Sequence, residues 1–323
     1  MPGITGNPHH GYNRHVRLAP EDEFGVCSDV PDWRDVPILA DGYRLRAASP
    51  RYFPATNIGG HRRGIGIAHQ QLAAGTLTTL AWVELTEFLL GAALHRDDDG
   101  EIASFTLDCY TPADPRRVLG AVAESVKLDV EGTGAAQVRI ELGLRARIEQ
   151  AHPGPLSEDD FDYSSLSPVP FMFCDARIRL DAAHVTDIES FRLDVDNSVA
   201  AGPIVATDGS ALGTVAYLVP GRRKIRLDLR KVSNDDRFGA AIRSGGTVSF
   251  EADFVHPDGH IWQMKLPALA PESSDEAADA DEPVSESPLL HALTNEDGDD
   301  ILWAVDLGPT TTTLESFTTT PSE

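Results

Sequence analysis

The sequence is poor in cysteine, in long apolar runs and in lysine. Its 323 residues include three cysteines, Cys27, Cys109 and Cys174, which lie far apart and are odd in number. This argues against a disulfide framework and against a C-x-x-C metal site, so we expect three reduced, mostly buried thiols. No run reaches the roughly 20 apolar residues of a membrane-spanning helix, and residues 1–17 have no apolar stretch typical of a signal peptide. We therefore expect a protein kept in the cytoplasm unless other machinery exports it.

Positive charge is also scarce: 51 acidic residues stand against 27 basic ones, a formal net charge of −24. This imbalance argues against a nucleic-acid-binding surface, because neutralising phosphates requires clustered Lys and Arg. Lysine occurs only at positions 127, 224, 231 and 265, while Asp is abundant. Three explanations of the acidity stay open: solubility, adaptation to high salt, or a surface along which DNA slides without binding.

Motifs that carry chemistry are missing as well. There is no G-x-S-x-G elbow, and the glycines of Gly60–His69 match neither a phosphate-binding loop nor a G-x-G-x-x-G fingerprint. Asp97–Asp99 lacks the alternating ligands of a calcium loop. His9, His10 and His15 lie among Gly, Pro and Asn in what reads as a mobile arm, which favours solvated histidines over a metal site. The sequence thus predicts no catalytic, cofactor-binding or metal-binding residue, and an enzyme remains a hypothesis only by elimination.

What the sequence does contain is a mainly β pattern. Apolar and polar residues alternate with period two in short stretches that Gly, Pro and Asp clusters separate. The clearest predicted strands are Ala121–Val130, Arg177–Leu180, Ile188–Val195, Lys224–Leu229 and Thr247–Phe254.

Helix is predicted in two places. Leu80–Leu94 is the stronger, because it places Leu85, Phe88, Leu89 and Ala92 on one face at helical spacing. Asp235–Ile242 is the weaker, with Asn234 as its N-cap.

Three segments have the composition of connections or ends. Gln150–Asp162 is typical of a linker near the middle of the chain. Residues 271–287 form an acidic, Ser- and Ala-rich run without apolar periodicity, which predicts an exposed loop. Residues 310–323 are rich in Thr and predict a flexible C-terminal tail.

A weak internal duplication underlies this layout. Strand, basic turn, helix and S-F strand follow one another twice, in the same order. The paired landmarks, at offsets of 148, 161 and 145 residues, are Tyr43 with Phe191, Gly60 with Gly221, and Phe105 with Phe250. The order predicts two tandem β domains, against the alternative of two merely similar β segments.

Short motifs spread over the chain resemble those of the tail tube proteins of long, non-contractile-tailed phages and related archaeal viruses. The resemblance rests on their order. They are the E-x-x-x-G stretch Glu21–Gly25, then Trp33 and Pro37, the turn Gly60–Arg63, Gly75–Leu77 leading into the helix, the D-G-x-x-x-x-x-x-L segment Asp99–Leu107, Gly120–Val130, the segment Phe173–Asn197 with its S-F-x-L-x-x-D-N end, and Met264–Pro267.

The resemblance implies a β-sandwich or barrel-like tube domain with a short flanking helix, which closes into a ring-shaped β-barrel on assembly, and the internal duplication predicts two such domains in tandem. The first domain is residues 1–150 with an N-terminal arm, and the second is residues 163–309 with the acidic loop 271–287. Rings stack into a tube that conducts DNA without binding it. A trimeric, pseudo-hexameric ring is favoured and a hexamer is the alternative.

The resemblance also implies partners and a location. A tape measure protein occupies the lumen during assembly, tail terminator and baseplate proteins contact the ends, and no membrane is involved. The expected location is the virion tail, with assembly in the host cytoplasm. A different virion or surface β protein, such as a baseplate or head–tail connector component, is the alternative function.

Overall fold

A computed structural model describes residues 14–44, 46–48, 51–52, 67–68, 70–96, 100–112, 114–132, 136–202, 204–206, 213–233, 235–277, 284–294 and 300–306. The fold is mainly β with two α-helices, which confirms the predicted class.

The described residues up to 151 hold ten strands and the longer helix. In chain order they are β1 His15–Pro20, β2 Arg34–Val36, β3 Ile38–Tyr43, β4 Arg46–Ala48, β5 Arg51–Tyr52, β6 Ile67–Ala68, β7 Gln70–Leu80, α1 Val83–Leu94, β8 Phe105–Tyr110, β9 Arg116–Glu131 and β10 Val138–Ala151.

Two short 3₁₀ turns, Glu158–Asp160 and Phe173–Asp175, lie in the connection to the later strands. These are β11 Ala176–Leu180, β12 Ala183–Val185, β13 Ile188–Asp196, β14 Ala200–Ala201, β15 Ile204–Ala206, β16 Gly213–Val215, β17 Leu218–Val219, β18 Lys224–Val232, then α2 Arg237–Ser244, β19 Val248–Val255, β20 Ile261–Ala277, β21 Ser285–Ala292 and β22 Leu302–Asp306.

The early strands form an antiparallel set with β8, β9, β10 and β7 at its centre. β1 and then β2 extend it beyond β8, and β3 and β4 pair with β7 at the opposite side. We call this set, in the spatial order β2-β1-β8-β9-β10-β7-β3/β4, the first sheet unit. Helix α1 connects β7 to β8.

The later strands pair in a corresponding order. β19, β20, β21 and β18 form the centre, β11 and β12 extend it beyond β19, and β13 pairs with β18. We call this set, β12-β11-β19-β20-β21-β18-β13, the second sheet unit. Helix α2 connects β18 to β19, as α1 connects β7 to β8. One difference is that β21 and β22 divide between them the length of β20, whereas β10 alone spans β9.

The two units meet at β9. The first part of this long strand pairs with β8, and residues 125–131 pair on the same side with β13. Because β13 also pairs with β18, one continuous antiparallel sheet runs through both units. Within the described residues the single chain does not close into a barrel.

Alternation along the strands determines the core. On β9, Val126, Leu128 and Val130 are buried while Lys127 and Asp129 are not. Most buried side chains of both units belong to one hydrophobic cluster, which also takes up the inner face of α1, and a smaller cluster surrounds Val122 and Val215. Each fully buried aliphatic side chain contributes about 1.5–3 kcal/mol, so the strand pattern itself selects which face turns inward.

The predicted strands are confirmed as β9, β11, β13, β18 and β19, with the one difference that β19 begins at Val248 and not at Thr247. The stronger helix is confirmed as α1, although it begins at Val83 because Leu80 still belongs to β7; Leu85 and Leu89 are buried and Phe88 and Ala92 half-buried. The weaker helix begins later than predicted, at Arg237 after Asp236, and Asn234 lies outside the described residues.

The predicted acidic loop 271–287 is wrong. Residues up to Ala277 continue β20, and residues from Ser285 begin β21, so the segment belongs to a β-hairpin. Ser, Asp and Glu have low strand propensity, but backbone pairing with β21 satisfies the peptide groups on that side of the strand and outweighs it. Residues 278–283 lie outside the described residues.

Some predicted details also change. His15 is not part of an arm: it lies in β1, and its Nδ1 is 3.0 Å from the Tyr163 hydroxyl. The three thiols are free, but only Cys109 is buried, while Cys27 is half-buried and Cys174 exposed. Outside the described residues lie His9 and His10, the Gly60–Arg63 turn, Asp97–Asp99 and the tail 310–323.

Candidate assembly surface

One face of the continuous sheet carries charges instead of a second layer. On β9, β10, β13 and β18 the residues that alternate with the buried ones are mostly ionisable. We call this set the charged face; it consists of Lys127, Asp129, Glu131, Arg139, Glu141, Glu189, Arg192, Asp194, Asp196, Lys224, Arg226, Asp228 and Arg230.

Opposite charges alternate across the strands of this face. Asp194 lies between Lys127 and Arg226, and Arg192 lies between Asp129 and Asp228 in the strand register. Arg192 donates to the Asp129 carboxylate. Cross-strand pairs of opposite charge each add roughly 0.2–1 kcal/mol, and like charges directly opposite would destabilise the sheet.

Two further ion pairs complete the pattern. The Lys127 ammonium lies 3.1 Å from Glu141, and the Arg230 guanidinium 2.8 Å from Glu189. The charged face therefore holds six basic and seven acidic residues, close to neutrality. The large negative charge of the chain resides elsewhere, for example in residues 272–286, which contain seven acidic residues and no Lys or Arg.

Asp194 is the one acid of the charged face whose pKa is shifted upward. Partial burial between the strands is the main cause, and the nearby Lys127 and Arg192 charges oppose it. The neighbouring positive charges thus offset only part of the cost of burying the ionised Asp194 carboxylate.

The E-x-x-x-G motif forms a hydrogen-bonded turn. The Glu21 carboxylate accepts hydrogen bonds from the amides of Gly25 and Gly120 at 2.8 and 2.9 Å. It also accepts from the hydroxyls of Ser104 and Thr106, both at 2.8 Å. Gly25 and Gly120 have φ of +75° and +63°, in the left-handed region that favours glycine. The motif therefore fixes a connection next to β1 and β8.

The end of the S-F-x-L-x-x-D-N motif joins β13 to α1. The buried Asn197 amide donates to the carbonyls of Ala93 and Ala123 at 2.8 and 3.1 Å. Arg223 donates to the carbonyl of Leu94, the last residue of α1. These donors satisfy carbonyls that the helix leaves unpaired at its C-terminus and fix the junction between the units.

The densest buried ionic cluster surrounds Asp108. Its carboxylate lies 3.0 Å from Arg17, 2.7 Å from Arg117 and 3.2 Å from His152, and the side chain has no exposed surface. Burial alone would raise the pKa of Asp108, but the hydrogen bonds from Arg117 and Arg17 prevail and lower it. Both carboxylate oxygens are engaged by the fold, so the cluster is structural.

An apolar groove of about 340 Å³ runs beside α1, lined among others by Phe88, Ala92, Phe105 and Trp303. Such a lining suits a contact with another apolar surface. Among the described residues, no three His, Cys, Asp or Glu side chains gather as metal ligands would, and no helix is long and apolar enough to cross a membrane.

The polar clusters of this molecule bond to its own backbone and strands, and its exposed features are a charged sheet face, sheet edges and an apolar groove. This combination is typical of a structural β protein that acts by association. Sequence reasoning had named no site residue. The charged face could have been found from the alternating letters KLDVE, RLDVD and KIRLDLR, but not the partners of each charge.

A family model described as phage tail tube protein matches residues 11–287. The chain belongs to this family, and its function is that of a structural subunit of a viral tail tube. Membership implies self-association into a tube and a location in the virion tail. No curated protein matches the chain.

Proposed function

We propose that three chains form a pseudo-hexameric ring and that rings stack into the conduit for viral DNA. Each chain supplies two tube domains, residues 1–150 and 163–309, with residues 310–323 as a tail. The observation that carries this proposal is the repeated strand order of the first and second sheet units.

The correspondence extends to single residues. Phe105 pairs with Ala121 in β8–β9, and Phe250 pairs with Leu266 in β19–β20. The landmark pair Phe105 and Phe250 thus occupies equivalent places. Tyr43 and Phe191 lie in equivalent strands, β3 and β13, but not at equivalent positions. Tyr43 pairs with Leu77, and Leu193 pairs with Leu227, the counterpart of Leu77. Tyr43 therefore corresponds to Leu193, two residues after Phe191.

A specific backbone hydrogen bond is also repeated. The Glu21 amide donates to the Ser104 carbonyl at 3.0 Å, and the Asp181 amide donates to the Ser249 carbonyl at 3.1 Å. In each unit the acceptor is the serine that directly precedes the phenylalanine of the S-F strand. Agreement in strand order, in the place of the S-F strands and in this hydrogen bond supports a tandem duplication over two merely similar β segments.

The ring size follows from the number of units. Six units around a pore require three chains if both units of each chain take part. A ring of six chains is the alternative, and it requires that only one unit of each chain contributes. The pairing of β9 with β13 favours three chains, because it already joins two units side by side in one sheet.

We place the charged face toward the lumen. A duplex slides past a wall without binding if no cluster of Lys and Arg is free to replace the counterions of its phosphates. On this face each basic strand position stands beside an acidic one, for example Lys127 beside Glu141 and Arg192 beside Asp129. The pairing of each basic residue with an acidic one therefore prevents the charged face from binding DNA. The overall negative charge of the chain also opposes the adhesion of DNA.

The remaining features of the proposal rest on family membership. The tube belongs to a long-tailed phage or archaeal virus, and its lumen holds a tape measure protein during assembly in the host cytoplasm. Tail terminator and baseplate proteins contact its two ends. The chain carries out no catalysis and needs no cofactor.

End-on electron microscopy of assembled protein tests the proposal. We expect tubes whose end-on averages show threefold symmetry with two alternating domain shapes. Averages that keep sixfold symmetry at subunit resolution would exclude the trimer. Particles that remain monomeric from roughly 0.1 to 3 M salt, where screening of the repulsion between copies is strong, would exclude the tube itself.

A further inference from the structure

The last part of β20 has an unpaired edge. β19 pairs with β20 only as far as Leu269, and β21 pairs with the opposite edge of residues 269–277. Among the described residues, no strand pairs with residues 271–277 on the β19 side. In the first sheet unit the corresponding edge of β9 is occupied, because β13 pairs there with residues 125–131.

The strand pairings fix which residues correspond. Leu142 of β10 pairs with Val126 of β9, and Leu290 of β21 pairs with Pro271 of β20. Two residues earlier in each of these strands, Ile140 of β10 pairs with Leu128, and Pro288 of β21 pairs with Ser274. The free edge from Pro271 onward is therefore the counterpart of the edge that β13 covers on β9.

The strand that corresponds to β13 in the first sheet unit also has an open edge among the described residues. β13 is covered on both sides, by β18 and by β9. Its counterpart in the first unit is β3, which among the described residues pairs on one side only, with β7. Among the described residues, β20 thus has an open edge and β3 has another, in the same relation as the two strands of the internal junction.

We propose that β20 of one copy pairs, through residues 271–274, with the end of β3 and the start of β4 of a second copy, in the register of the β9–β13 junction. This inference rests on the proposed ring and identifies its contact. The equivalences place Tyr43 of one copy opposite Ser274 of the next, and Arg44 opposite Ser273. Three such contacts alternate with three internal junctions in the ring, so that the free edges of β20 and β3 are both paired.

Charge complementarity supports this pairing. The exposed side chains of Glu272 and Asp275 lie on the free part of β20. Every ionisable residue from 272 to 286 is acidic. The partner edge carries the exposed Arg44, which the proposed register places directly opposite Ser273 and on the diagonal from Asp275. A guanidinium beside the acidic stretch of an identical copy favours this pairing over the contact of two acidic stretches.

Mixed single-cysteine variants test the contact. One batch carries Arg44→Cys and the other, distinguished by a size tag, carries Ser273→Cys, both with Cys27→Ser and Cys174→Ser. After co-assembly and mild oxidation we expect a covalent dimer of one tagged and one untagged copy, since a directly opposite pair meets disulfide geometry. Either batch alone should give no such dimer.

Two matched pairs calibrate the result. Lys127→Cys with Asp194→Cys in one chain reproduces the same strand positions at the internal junction, where the two residues are paired, and should give an intramolecular disulfide. Asp275→Cys in place of Ser273→Cys shifts the partner by two residues, to roughly 7–8 Å on the diagonal, and should cross-link far less.

Charge reversal provides a readout that does not depend on cysteine. Arg44→Glu should reduce assembly into tubes, and Asp275→Lys in the same chain should restore it at least in part. Tubes that form without the mixed dimer, while the internal control closes, would overturn the proposed contact and leave the tube function intact. Chains that neither associate nor cross-link at high concentration would overturn both.

Discussion

The first and second sheet units share a strand order but fill equivalent positions with different chemistry. In the first unit Cys109 of β8 pairs with Arg116 of β9. In the second, Phe254 of β19 pairs with Trp262 of β20, and their rings stack at 4.6 Å. The second unit thus has an aromatic centre where the first has a thiol and an arginine.

The buried acids show the opposite difference. Asp108 pairs across the strands with Arg17 and Arg117 and has no exposed side-chain surface. The side chain of its counterpart Asp253 is 12% exposed and forms an ion pair at 2.9 Å with Arg179, whose side chain is 35% exposed. Backbone pairing keeps the sheet order the same, so the side chains are free to stabilise one unit by enclosed charge and the other by ring stacking.

Removing the two equivalent acids should sharpen this contrast most. Asp108→Ala leaves two guanidiniums without their buried partner and should lower the free energy of unfolding by about 3–5 kcal/mol. Asp253→Ala removes a more exposed pair and should cost about 1 kcal/mol or less. Urea unfolding of the soluble subunits measures both. Equal losses would show that burial does not distinguish the two units.

The pH dependence of stability follows from the direction of the pKa shift of Asp108. Because the pKa of Asp108 is lowered in the fold, its stabilisation is present above the ordinary value of about 3.9 and is lost as the pH falls through the lowered pKa. Wild-type protein should therefore lose stability more steeply below about pH 4 than Asp108→Ala does. Parallel acid-unfolding curves for the two proteins would contradict this account.

The aromatic centre of the second unit gives the next effect. Phe254→Ala removes a stacked, fully buried ring and should cost about 3–4 kcal/mol. At the equivalent place in the first unit, Cys109→Ala removes only a thiol and should cost about 1 kcal/mol. Thermal unfolding followed by near-ultraviolet circular dichroism compares the two variants. A larger effect at Cys109 would reverse the proposed division of roles.

The turn acids at Glu21 and Asp181 provide a smaller contrast. Glu21→Gln replaces an oxygen that accepts hydrogen bonds with an amide donor, and should cost about 1–3 kcal/mol. The Asp181 carboxylate accepts from the Ser249 amide at 2.9 Å, and Asn in its place keeps an acceptor oxygen. Asp181→Asn should therefore change stability by less than about 0.5 kcal/mol. Chemical denaturation of both variants decides whether the first unit depends more on its turn.

The smallest effect concerns the boundary between the units. Burial raises the pKa of Asp194, so its ionised form is disfavoured in the fold and Asp194→Asn should stabilise the protein slightly at neutral pH, by less than about 1 kcal/mol. Glu131→Gln, at the exposed end of β9, is the matched control and should have no measurable effect. A clear loss of stability in Asp194→Asn would mean that the ionic pairing across the junction outweighs the cost of burial.

Much of the local structure was predictable from the sequence, since it depends on short-range patterns. Alternation with period two identified β9, β13 and β18, and helical spacing identified α1. The order of short motifs identified the family that the match over residues 11–287 confirms. Phe105 and Phe250 lie at equivalent positions because the S-F strand is a local pattern that both units retain.

What the tertiary structure decided is the choice of partners. Residues 271–277 resemble a loop by composition, yet β21 supplies backbone partners and makes them a strand. The junction of β9 with β13, and with it the pairing of Arg192 with Asp129, joins residues far apart in the chain. The alternation of a strand specifies which face is buried but not which edge it meets. That choice depends on contacts between distant segments, and so only the folded chain reveals it.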